Sequence, residues 1–147
     1  MNESEVSKIV NSAFDSLPMA VGANNHMGSK ASADLDVMRA VLNVLKQKDK
    51  FFVDSMTSEK RCASAIGKEL GLNVFERNVF LDGDRSYEQI VSQLKVAASL
   101  AVNNGSAIAI GHVGASGGAK TVKAITDTLS YFDEQGIELV FVSEFKS

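Results

Sequence analysis

Segments whose apolar side chains recur every three or four positions alternate, along most of this 147-residue chain, with short continuous apolar runs. The first pattern lines one face of a helix and the second buries both faces of a strand, so the alternation predicts a mainly parallel sheet with helices outside it. Helices are expected around Val6, Ile9, Val10, Ala13, Phe14 and Leu17, stopped by Pro18, and around Leu35, Met38, Val41, Leu42 and Leu45. A third lies around Ala63, Ile66 and Leu70, closed by Gly71, and a fourth around Ile90, Leu94, Ala97 and Ala101. Ser86 and Gln89 open the fourth as a capping box and Gly105 closes it. The last helix carries Val122, Ile125, Leu129 and Phe132 and ends at Gly136. Strands are expected over 19–23, 51–53, 107–110 and 137–142, with an extended stretch over 73–81.

Length and composition narrow the choice further. A chain of 147 residues, 45% hydrophobic, is enough for one core, so a single domain over 1–147 is expected. Its 15 basic and 18 acidic residues are scattered, giving a net charge of −3 and no basic cluster that would attract nucleic acid. The single cysteine, Cys62, is placed in a helix as a small inert core residue. No apolar stretch reaches the ~18 residues of a membrane helix, and the opening residues lack the pattern of a signal peptide.

In parallel α/β folds the chemistry collects where the loops leave the carboxyl ends of the strands. The polar groups that follow the apolar runs are Asn24, Asn25, His26 and Ser29; Asp54, Ser55 and Thr57; Arg77 and Asp82; His112; and Ser143 and Glu144. Both histidines of the chain fall in this set, which favours a common site. Asp54 reads equally as a functional carboxylate or as a helix cap, and Asp82, before Gly83 and Asp84, as a site carboxylate or a plain turn. Arg77, among apolar neighbours, suits a structural ion pair as well as a catalytic role. The stretch from Gly114 to Thr121 comes close to a phosphate-binding loop ending in Lys120 and Thr121, but Ala119 stands where that pattern needs its last glycine. Nucleotide binding is therefore the remotest of the alternatives.

Four segments, in order, carry a resemblance. Asn24-Asn25-His26-Met27-Gly28-Ser29, Phe51-Phe52-Val53-Asp54-Ser55-Met56-Thr57, Arg77-Asn78-Val79-Phe80-Leu81-Asp82 and Ala107-Ile108-Ala109-Ile110-Gly111-His112 resemble the strand-end motifs of the divergent polysaccharide deacetylase family. The closing run from Gly136 to Ser143 also fits that family's last strand. The resemblance implies part of a distorted (β/α) barrel and a hydrolase that removes N-acetyl groups from cell-envelope polysaccharide, in the periplasm or outside the cell. It implies a divalent metal, usually zinc, that activates water and polarises the carbonyl. His26 would be a metal ligand, and His112 a general acid or the residue that completes the site. Arg77 and Asp54 would join His112 in the catalytic pocket, and Asn24, Asn25, Ser55 and Asp82 would bind substrate.

The family also opens with an Asp-Asp strand and carries a His-x-Pro-Met-Glu-Pro segment, neither of which occurs in this chain. These would supply the base and further metal ligands, and a whole barrel takes about 200 residues. The chain is therefore expected to be the C-terminal part of a truncated domain, with a second copy covering the open edge as a further partner. After His112, where the family has proline and a shorter turn, Val113 leads into a glycine-rich extension through Gly118. A non-catalytic glycan-binding or envelope-scaffold domain is the alternative from a different class.

Overall fold

The computed structural model describes residues 1–60, 62–84, 86–114 and 118–145. It consists of two compact units, one formed by Met1–Glu76 with the segment from Val142 onward, the other by Arg77–Phe141. Both have the expected α/β character, with parallel strands and helices.

The first unit contains α1 (Glu3–Ser16), β1 (Gly22–Asn24), α2 (Ser29–Ser32), α3 (Leu35–Gln47), β2 (Phe51–Asp54), α4 (Ala63–Leu70), β3 (Val74–Glu76) and a 3-10 turn at Val142–Glu144. Asn2 and Glu5 form a reciprocal capping box at the start of α1, each side chain accepting from the other's backbone N–H. The helix stops at Ser16, because Leu17 precedes Pro18 and is forced out of helical geometry, leaving it exposed. Strands β1, β2 and β3 pair in that order, all parallel, with Gly22 opposite Phe51 and Phe52 opposite Val74. The first strand therefore begins at Gly22, later than its apolar run suggested, and Met19 is exposed. Gly22 lies beneath the Phe51 ring, where a Cβ would come within 2.3 Å of a ring carbon.

Leu42 and Leu45 of α3 are fully buried and form one core with Phe14, Met38, Phe52, Ala63 and Ile66. Gly67 lets α4 close onto β3, since a Cβ there would lie 2.3 Å from Val74 Cγ2. Gly71, in the left-handed conformation at φ 64°, ends α4 as expected. Cys62 stands just before α4 and not within it, buried and donating its thiol to the Ser32 carbonyl. Burial, followed by the nearby Asp54 charge, pushes that thiol up, which keeps it protonated and inert.

The second unit contains β4 (Val79–Phe80), α5 (Tyr87–Asn104), β5 (Ala109–Ile110) and α6 (Gly118–Glu134). The extended stretch over 73–81 is thus two short strands in different sheets. Strand β4 pairs with β5 in parallel, Val79 opposite Ala109 and Phe80 opposite Ile110. Ser86 caps α5 by accepting from the Gln89 N–H, but its own N–H is taken by Asp84 Oδ1 rather than by Gln89. Helices α5 and α6 pack together over Val79, Leu81, Ile90, Leu94, Ala98, Ala124 and Phe132.

Two expectations are corrected here. Helix α6 buries Thr121, Ala124, Thr128 and Phe132, while Val122 and Leu129 are 58% and 41% exposed. The small Ala98 and Ala124 bring α5 and α6 close, and the buried hydroxyls have partners, Asp82 for Thr121 and the Ala124 carbonyl for Thr128. A satisfied threonine costs little to bury, so the most apolar face is not the one that packs. The run 137–142 is not a strand: 137–141 is irregular, Val142 begins the 3-10 turn, and Leu139, Val140 and Phe141 are exposed. Apolar character favours a strand only where a neighbouring edge supplies ladder bonds, and the described residues provide none for this run. Among the described residues no helix is long and apolar enough to cross a membrane.

The corrected face of α6 yields a direct comparison. Ala124→Leu should overpack the α5–α6 contact and destabilise the protein by about 1–3 kcal/mol, whereas Leu129→Gln should stay within about 0.5 kcal/mol. Urea denaturation of the two variants checks the order, and the reverse order would return α6 to its most apolar face.

Candidate functional site

The predicted site residues gather into two sets, one in each unit. In the second unit the ladder itself assembles the set. Pairing of Phe80 with Ile110 continues through the Leu81 N–H, which donates to the Ile110 carbonyl, so the next residues to leave the two strands are Asp82 and His112. The Asp82 carboxylate is fully buried. Its Oδ1 lies 2.8 Å from Nδ1 of His112, and its Oδ2 accepts from the His112 backbone N–H at 2.7 Å and from Thr121 Oγ1 at 3.0 Å. Asp82 is therefore not a turn residue; the turn role belongs to Asp84. Gly111 permits this crowding, since a Cβ there would meet Thr121 Cγ2 at 2.8 Å.

Burial alone would raise the Asp82 pKa. The His112 amide, its ring and the Thr121 hydroxyl outweigh that effect and hold the carboxyl below the ordinary carboxylate value. An ionised carboxylate only accepts, so Nδ1 of His112 carries the proton and, in the neutral ring, Nε2 carries the lone pair. The His112 side chain is a quarter exposed. Its ring lies 5.1 Å from that of Phe80, and the Arg77 guanidinium stands 5.0 Å from the Phe80 centroid. Arg77 thus reaches this set through a cation–π contact.

In the first unit, pairing of Asn24 with Val53 brings Asn25 level with Asp54. The Asn25 side chain is turned inward: Nδ2 donates to Ser32 Oγ at 2.7 Å and to Asp54 Oδ1 at 3.2 Å, and Oδ1 accepts from the Ser55 N–H at 2.6 Å. Ser55 Oγ donates to the Asn25 carbonyl at 2.6 Å, and Asn24 Nδ2 reaches Ser55 Oγ at 3.3 Å. Asp54, 2% exposed, also accepts from the Met56 N–H at 2.9 Å, which closes a turn after β2 and makes it no cap of α4. Met27 and Met56 both adopt the left-handed conformation, at φ 53° and 58°, where non-glycine residues are uncommon. Between the locked Asn25 and the strained Met27, His26 is exposed.

Sequence reasoning missed the part played by Thr121, Ser32 and Phe80. Thr121 was visible only as the end of the phosphate-loop pattern, whereas its hydroxyl donates to Asp82. Residues 115–117 of that pattern lie outside the described residues. A cavity of about 300 Å³ lined by Asn2, Glu3, Asp36 and Arg39, among others, contains neither histidine. Among the described residues no three His, Cys, Asp or Glu side chains are grouped so as to hold a metal ion. Catalytic zinc takes three protein donors, so the described residues do not by themselves fit it.

The lowered Asp82 pKa makes a signed prediction. A carboxyl depressed in the folded state contributes stability that is complete above its unfolded value of about 4 and is lost as pH falls through the folded one. Asp82→Asn should therefore lower the denaturation midpoint at neutral pH, with the gap to the wild type narrowing below about pH 4. A gap that is independent of pH down to the acid limit would show that the ionised carboxylate contributes nothing.

Residues 1–145 match the family model described as divergent polysaccharide deacetylase. An uncharacterized protein of Haemophilus influenzae is 41% identical over 112 residues, which is 76% of this chain and 40% of that protein. The uncharacterized protein YibQ of Escherichia coli K12 is 40% identical over 112 residues, covering 76% of this chain and 35% of its own length. The matched region is thus less than half of either relative. A crystal structure of an uncharacterized protein from Agrobacterium tumefaciens C58 superimposes with a TM-score of 0.77 over 84% of this chain and 48% of its own, at 24% identity, a likeness of fold. The family motifs at His26, Asp54, Asp82 and His112 lie at the strand ends where the two hydrogen-bonded sets are built, and the chain belongs to the divergent polysaccharide deacetylase family.

Proposed function

We propose that this chain is part of a hydrolase that removes N-acetyl groups from envelope polysaccharide in the periplasm or outside the cell, with His112 as the residue that protonates the departing amine. The observation that carries the reading is the buried Asp82–His112 pair in a chain of a deacetylase family. Amide cleavage expels nitrogen, which leaves readily only once protonated, and a positioned imidazole is suited to that transfer. Asp82 holds Nδ1, so the working nitrogen is Nε2, and its negative charge stabilises the imidazolium that precedes proton donation. Phe80 lies beside the ring, with the Arg77 guanidinium over the Phe80 face.

In this reading His26 would provide one nitrogen donor to a divalent cation such as zinc. Asn24, exposed before it, is the amide offered to a sugar hydroxyl. Asn25, Asp54 and Ser55 hold the loop, a supporting role in place of direct contact with substrate or catalysis.

Acetate release from an N-acetylated oligosaccharide, measured with zinc present, tests the assignment. His112→Gln should lower the rate by about 100-fold or more while saccharide affinity is retained. Undiminished release by that variant removes His112 from the reaction, and saccharide binding without any release by the unaltered chain points to a non-catalytic glycan-binding domain instead. Zinc titration followed by calorimetry tests the other histidine. His26→Ala should weaken binding by at least the about tenfold lost with an outer-shell partner, and unchanged affinity would exclude His26 as a ligand.

A further inference from the structure

Three threonines of α6 use their hydroxyls in two different ways. Thr126 and Thr128 donate backward along their own helix, to the carbonyls of Val122 at 3.0 Å and Ala124 at 2.7 Å, the usual resort of a helical threonine. Thr121, 3% exposed in the same helix, donates to Asp82 Oδ2 at 3.0 Å instead. We propose that Thr121 is a positioning residue: its hydroxyl fixes the plane of the Asp82 carboxylate, and through it the tautomer and direction of the His112 ring.

The geometry explains why a second donor is needed on Oδ2. A carboxylate turns easily about its terminal torsion, which is broad and roughly two-fold. The His112 backbone N–H restrains Oδ2 from the strand side, and Thr121 restrains it from the helix side. With Oδ2 held from both sides, Oδ1 is left facing Nδ1 at 2.8 Å. Neutral imidazole has two tautomers of similar energy, so an acceptor held at Nδ1 favours the one with hydrogen there. Asp82 bonds the ring at Nδ1, Thr121 bonds Asp82, the Phe80 ring lies 5.1 Å away, and the Arg77 guanidinium stands over Phe80. Gly111 belongs to the same device, because any Cβ there would displace Thr121 from the carboxylate.

The role matters for catalysis only if His112 carries the proton as proposed above, but the test reads the ring directly and needs no substrate. The chain is labelled with nitrogen-15 in its histidines, and the two ring nitrogens of His112 are followed by NMR at a pH where the ring is neutral. Thr121→Val keeps the shape and removes the hydroxyl. It should lower the ratio of the Nδ1–H to the Nε2–H tautomer about tenfold, as expected for one lost hydrogen bond to a charged group, and Thr121→Ser should restore the wild-type signals. Wild-type nitrogen shifts in Thr121→Val would overturn the proposal, as would an equal displacement in the Val and Ser variants, which would trace the effect to the lost methyl. Should Thr121→Val not fold, Thr121→Ala, which adds no bulk, carries the same expectation and the same power to refute. Lost acetate release with normal tautomers would overturn the positioning role, and displaced tautomers without any effect on release would count against His112 as the proton donor while leaving the positioning role standing.

Discussion

With Phe80 paired to Ile110 in a parallel ladder, the residues two places further along each strand, Asp82 and His112, leave the sheet side by side. The same rule acts in the first unit, where pairing of Asn24 with Val53 delivers Asn25 to Asp54. Parallel strands run out at a common edge, so groups at equivalent positions meet without any long-range search. A one-residue slip in either ladder would turn each group to the opposite face of its sheet. The register, set by apolar packing of residues such as Phe52 and Val79, thus decides which polar groups can interact.

Each ladder end then faces the same difficulty, a carboxylate withdrawn from water. Burying an unpaired charge costs several kcal/mol, so both Asp54 and Asp82 are surrounded by donors. The donors differ in kind, and that difference separates the two sets. Asp54 receives an amide and a backbone N–H, groups that do not titrate, and it closes a turn. Asp82 receives a backbone N–H, a hydroxyl and a ring nitrogen, the last from an imidazole. Identical residue types at equivalent places in two parallel ladders therefore close a turn in one unit and hold an imidazole in the other.

The sequence carried the fold where local chemistry is decisive. Gly71 and Gly105 end their helices in the left-handed conformation, and Ser86 caps α5 with its hydroxyl, as the pattern of residues indicated. It was less legible where the outcome depends on a distant partner. Thr121 and Thr128 are buried because Asp82 and a neighbouring carbonyl satisfy them, and nothing in the local pattern around Val122 and Leu129 announces those partners. An apolar run such as Ile137 to Val142 states a need for a neighbour without supplying one. The motifs placed Asp82, His112, Asn25 and Asp54 at strand ends, where the ladders have them, and the roles came only from the resemblance. Whether a carboxylate caps, turns, binds or holds a histidine is decided by what stands within 3 Å of each oxygen, and only coordinates show that.

The loop that carries His26 illustrates how such a set is kept in shape. Left-handed geometry at Met27 and Met56 costs on the order of 1–3 kcal/mol each, and such conformations persist only where the surroundings over-determine them. Asn25 meets that condition with bonds to Ser32, Asp54 and Ser55, which together tie the end of β1 to the end of β2. The strain at Met27 is therefore held beside a network centred on Asn25. The backbone on the Asn25 side of His26 is thereby restrained by bonds already made within the unit. The first unit thus shapes the backbone that carries its imidazole through backbone strain and amide bonding, whereas the second holds its imidazole ring itself through a carboxylate that also sets the proton.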